Sequence, residues 1–142
     1  MKIFDKIKLP FEKLSPLIFA VIALILWLRL GCKFPESESI ISATLSVSGI
    51  FVGFLATAKA ILISMNSPII AEIKESGYIN ELVSYIGQAI WFNLFFCVVN
   101  VVGYFGLQSS YTYGAVWIFF AFASLVSFIR VTDIMLKIFR FN

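Results

Sequence analysis

Few side chains in this sequence could do chemistry, and most of the informative ones lie inside strongly apolar stretches. Gln88, Asn93 and Asn100 share one such stretch, and Lys59 lies in the one before it. Asn93 and Asn100 are one heptad apart, so on a helix they share a face. A buried amide is unfavourable unless hydrogen-bonded, and such bonds between membrane helices contribute about 0.6–2 kcal/mol. The two asparagines therefore either tie helices together or line a wet cavity or channel. Lys59 falls about one and a half turns before the end of its stretch. A lysine at the bilayer centre costs at least about 3 kcal/mol. At this depth it either snorkels to the interface or faces a water-filled vestibule. Lys59, Gln88, Asn93 and Asn100 are thus the candidate pore or intramembrane polar residues. Arg130 and Asp133 are three apart near the end of the last stretch, where they can pair and neutralise each other.

The sharpest pattern is one of small residues. Ser42, Ser46, Gly49, Gly53, Ala56 and Ala60 recur at spacings of four and three, which puts all six on one helix stripe that includes a GxxxG pair. Small residues let helix backbones approach closely in lipid. Two uses follow: packing within the chain, or a seam or pore lining between copies of it.

Other chemistry is missing. The sequence holds no histidine, no phosphate loop and no nucleophile beside a base, so neither catalytic residues nor a cofactor are expected. Cys32 and Cys97 lack metal-ligand spacing and fall at different places along their helices, so no metal site or disulfide is expected. The net charge of +3 is spread along the chain, unlike the clustered basic face of a nucleic-acid binder.

The elements that must position these residues follow from composition. The 142 residues are 61% hydrophobic and only 13% charged. A soluble domain this small could not hide so much apolar surface, since it would bury only about 60–70% of its chain surface. Four apolar stretches stand out: Ser15–Leu30, Ile40–Ser64, Glu81–Leu107 and Tyr113–Phe139. A helix needs about 20 residues to cross a hydrocarbon core of about 30 Å, so the last three suffice and the first is marginal. No stretch alternates as a membrane barrel strand would. The first stretch lacks a small-x-small cleavage pattern and reads as an uncleaved span. The expected fold is all-α, a single integral-membrane four-helix bundle over residues 1–142.

Basic residues set the expected orientation. Lys2, Lys6, Lys8 and Lys13 precede the first span, Lys74 follows the second, and Arg130, Lys137 and Arg140 close the fourth. The other side has Arg29 and Lys33, offset by Glu36 and Glu38. This predicts both termini inside. The connection Met65–Asn80 is then cytoplasmic. Ser67–Pro68 opens a short helix there, and Gly77 ends it. Residues Ile3, Phe4, Ile7 and Phe11 predict a short interfacial segment broken at Pro10. Trp27, Trp91, Tyr104, Tyr111, Tyr113 and Trp117 read mostly as belt residues at the interfaces.

In the second span and the loop after it, the chain resembles the RexB family, small four-span inner-membrane exclusion proteins of lambdoid phages. The similar stretches are Ala43-Thr44-Leu45-Ser46, Gly49, Phe54-Leu55, Ile73-Lys74-Glu75 and Gly77-Tyr78, and the order of spans from Ile40 to Phe139 agrees. The resemblance implies a phage-defence effector that opens an ion path and depolarises the membrane, with a soluble partner that senses infection. The expected partners are membrane lipid, further copies of the chain, and a cytoplasmic protein at Met65–Asn80. The alternatives are a non-conducting anchor that recruits a soluble protein, and a holin-like toxin acting alone.

Overall fold

The computed structural model describes the backbone of residues 2–35, 37–64 and 78–140, and the side chains of 14–35, 37–64 and 80–136. Among these, the regular structure is entirely helical. The helices are α1 (Lys2–Leu30), α2 (Glu38–Ser64), α3 (Tyr78–Gly103) and α4 (Tyr111–Arg140), with a 3-10 turn at Leu107–Ser109 before α4. The short helix expected within Met65–Asn80, opening at Ser67–Pro68 and ending at Gly77, lies outside the described residues. The break expected at Pro10 does not occur, and α1 runs unbroken from Lys2 to Leu30. Proline removes one i→i−4 bond, but the remaining bonds carry the helix past it.

Three helices are long and apolar enough to cross a membrane: Glu38–Ser64, Asn80–Gly103 and Tyr111–Leu136. The apolar part of α1, Leu14–Leu30, is shorter. Large apolar side chains point outward along all four helices, including Leu30 at 72% exposed, Ile50 at 69% and Leu136 at 64%. So much outward apolar surface is unfavourable in water and suited to lipid. This is a membrane protein by its helices and by its surface.

The helices pack in the order α1–α4–α3–α2. Helix α2 also touches α4 where Phe51 stacks on Phe128 at 3.8 Å between ring centroids. Helix α3 thus lies between α2 and α4, and α1 packs on α4. The buried residues of α1 are small, Pro16, Ala20 and Ala23, and α4 is the helix it packs on. Gly114 on α4 passes so close to Trp27 and Phe34 that a Cβ there would lie 3.3 Å from each.

Two apolar clusters hold the ends. Leu55, Leu62, Leu82, Ile86 and Val131 meet near the Ser64/Tyr78 end. Phe34, Ile41 and Tyr113 meet near the opposite end, with Trp27, Val99 and Trp117 against them. At that end Gly31 (φ 60°) terminates α1 and Gly106 (φ 81°) turns the chain out of α3. Both occupy the left-handed region that glycine enters without steric penalty. Gly103 has a different reason to be small. A Cβ there would collide with the Tyr113 hydroxyl and lie 2.7 Å from Ile41 Cδ1.

Candidate functional site

Of the polar side chains of α3, Asn93 lies between the two apolar clusters while Gln88 and Asn100 lie level with one or the other, and the structure ties all three to neighbouring helices. Asn100 is fully buried. Its Oδ1 accepts from Trp117 Nε1 of α4 at 3.0 Å and from Thr44 Oγ1 of α2 at 2.6 Å, and its Nδ2 donates to the Phe96 carbonyl at 2.8 Å. An indole N–H only donates, so the atom facing Trp117 must be the amide oxygen, which fixes the amide's orientation. Thr44 has one proton, which it shares between Asn100 and the Ile40 carbonyl at 2.8 Å. Asn100 therefore joins three helices at one point.

Asn93 is also fully buried. Its Oδ1 accepts from Ser124 Oγ of α4 at 2.6 Å, and its Nδ2 donates to the Ala89 carbonyl at 2.8 Å. Between the two asparagines, Ser48 Oγ of α2 lies 3.1 Å from Cys97 Sγ of α3. Cys32 and Cys97 are both free thiols.

Gln88 and Arg130 are brought together. Arg130 Nη2 donates to Gln88 Oε1 at 2.9 Å, and the guanidinium sits 4.4 Å from the centroid of the buried Tyr85 ring. Arg130 thus reaches across to α3, and Asp133 lies exposed one turn further along α4. Replacing Arg130 with alanine is expected to cost about 2–4 kcal/mol, since a charge-assisted hydrogen bond and a cation–π contact are lost with it. Arg130→Lys recovers only part of this, since an ammonium is a point charge rather than a planar fork. Thermal unfolding in detergent checks the order: wild type, then lysine, then alanine.

Lys59 is half-buried on the α3 side of α2. A Cβ on Gly87 would lie 3.9 Å from its Nζ, so the ammonium rests over that glycine. Among the described residues no hydrogen bond or ion pair holds it. It stands apart from both asparagines in sequence level along the helices.

The small-residue stripe takes the opposite side. Ser42, Ser46, Gly49, Gly53, Ala56 and Ala60 are all exposed. The buried residues of α2 are Ile41, Ser48, Leu55, Ala58 and Leu62. At 3.6 residues per turn the two sets are centred about 140° apart around the helix. A Cβ on Gly49 or Gly53 would meet nothing within 4 Å. Within one chain, then, the close helix contacts use Ala20, Ala23, Gly103 and Gly114, and the most regular small stripe is left open.

Some partners were not singled out by type or spacing. Thr44, Tyr85 and Ser124 carry no special signal in an apolar stretch. Trp117 and Tyr113, read as belt residues, are partly buried and buried in the packing. Tyr113 donates its hydroxyl proton to the Val99 carbonyl at 3.2 Å. Among the described residues no group of three or more histidine, cysteine or acidic side chains converges on one point. Compared with protein-family models, curated proteins and solved structures, the chain matches none.

Proposed function

We propose that this protein is a four-span protein of the bacterial inner membrane, with both termini inside, that works as an assembly of identical chains joined along α2. In this reading it is the membrane effector of a phage-defence system, and it opens an ion path when a cytoplasmic protein engages the Met65–Asn80 connection. The observation that carries the assembly is the outward stripe of six small residues on an edge helix. The defence role rests on the resemblance to RexB-type proteins.

The polar contacts limit where a path would run. Asn93 and Asn100 are fully buried and bond to neighbouring helices within the chain, away from the outward face of α2. A path forms between copies, beside the outward face of α2, and Lys59, turned toward α3, lies away from it. The buried state of the two asparagines equally favours a second reading, a non-conducting anchor that recruits a soluble protein.

Ion flux in liposomes, together with a membrane-potential dye in cells carrying the partner, separates the two. The effector reading expects depolarisation on triggering, and none in a variant with leucine at positions 49 and 53. Absence of flux in every partner-bound state replaces it with the anchor.

A further inference from the structure

Trp91 stands midway along α3, yet it points outward and is 62% exposed. Tryptophan in membrane proteins favours the interfaces, and lipid tails offer its N–H no acceptor. Among the described residues no hydrogen bond holds its Nε1. Phe95, one turn further on, is 49% exposed, and its ring centroid lies 5.9 Å from that of Trp91. The two rings are a pair of knobs four residues apart, on the side of α3 opposite the buried Asn93 and Asn100. Contacts between α2 and α3 set their depth. Thr44 meets Asn100, Ser48 meets Cys97, and Lys59 reaches over Gly87. Carried along the two antiparallel helices, this register puts Trp91 level with Gly53 and Phe95 level with Gly49, to within about two residues or about 3 Å of rise. Those glycines are also four residues apart and exposed, and a Cβ on either would meet nothing within 4 Å.

We propose that the Trp91–Phe95 face of α3 is a docking surface for the α2 stripe of a second copy, with the two rings seated over Gly53 and Gly49. The proposal rests on the reading that identical chains assemble along α2. Copies in one membrane share one orientation, so a residue at a given depth meets the same depth of its neighbour. Large rings against a helix face without side chains allow close packing in lipid. Backbone carbonyls exposed beside glycine keep a second lone pair for the indole N–H. The stripe holds one neighbour at a time, so two assemblies compete for it. Pairing α2 with α2 is two-fold and closes at two copies. Pairing α2 with α3 is head-to-tail, and each further copy adds by the same rotation until a ring closes. The ring encloses a space between copies, and exchange from the pair to the ring opens the path.

The test is mixed cross-linking in native membranes, with Cys32 and Cys97 replaced by serine and two differently tagged full chains expressed together. Oxidation irreversibly traps the ring contact whenever it forms. Gly53→Cys in one chain with Trp91→Cys in the other is expected to give a dimer carrying both tags, as is Gly49→Cys with Phe95→Cys. Ser42→Cys with Trp91→Cys is expected to give none, since those positions lie about 16 Å apart in depth. Adding Trp91→Leu is expected to lower the yield of the Gly49→Cys and Phe95→Cys pair about tenfold, the scale of one aromatic anchor. Trp91 is exposed, so its replacement keeps the fold. The α3 seat is overturned if no dimer carries both tags, if the Ser42→Cys pair links as readily, or if Trp91→Leu leaves the yield unchanged. Stripe cysteines that then link only to one another leave assembly along α2 standing without it.

Discussion

Asn100→Leu is expected to destabilise the protein by about 2 kcal/mol, about twice the loss from Asn93→Leu. Both asparagines are fully buried, and leucine has a similar size, so cavity formation is a minor effect. The difference lies in the donors left behind. Without Asn93, the Ser124 hydroxyl can rotate to a carbonyl of its own helix, as Ser127 already does toward Ser124 at 2.9 Å. Without Asn100, Thr44 likewise keeps its bond to Ile40. Trp117 has no such escape, because its rigid N–H has one direction and faces the vacated position. Chemical unfolding in mixed micelles, followed by circular dichroism, measures the order. Equal losses, or a larger loss for Asn93→Leu, would show that the indole is satisfied elsewhere.

The second large effect is on assembly. Leucine at both Gly49 and Gly53 is expected to reduce self-association at least about tenfold, because two branched side chains would hold the α2 backbones apart. The fold of the single chain should not suffer, since a Cβ at either position meets nothing within 4 Å. Glycine is itself a poor helix residue, by about 0.8–1 kcal/mol against alanine, so the substitutions should if anything firm up α2. Gly103→Leu is the opposite case. It would drive into Tyr113 and Ile41 and unsettle the chain itself. Loss of assembly with retained unfolding midpoint in the α2 variant, and a lowered midpoint in Gly103→Leu, is the expected pair of results. A lowered midpoint in the α2 variant would mean that the stripe packs within the chain.

Much of the helical layout can be read from hydropathy. The expected spans Ile40–Ser64 and Tyr113–Phe139 differ from α2 and α4 by one or two residues at most at each end. Span three was placed too late, at Glu81–Leu107. Tyr104, Phe105 and Leu107 are as apolar as any helix, and only Gly106 signals that α3 has already ended. Pro10 predicts a break because its missing N–H is visible in sequence, while the bonds that carry α1 past it are not. The heptad of Asn93 and Asn100 puts both on one face, but nothing in the spacing says which helices lie opposite. Thr44, Trp117 and Ser124 are ordinary residues until α2 and α4 are packed against α3. The same limit applies to the stripe on α2. Apolar residues run all round that helix, so periodicity cannot choose its buried side. Only the packed helices show that Leu55 and Ala58 face inward while Gly49 and Gly53 face out.

Joining copies along the outward face of α2 is the central claim, and disulfide cross-linking in native membranes tests it most directly. With Cys32 and Cys97 replaced by serine, single cysteines are introduced in turn at Ser42, Ser46, Gly53 and Ala56, and at the buried positions Ser48 and Leu55. Oxidation is predicted to give a dimer band from the first four and none from the last two. Cross-linking that ignores this periodicity, or that is strongest from Ser48 and Leu55, would contradict it.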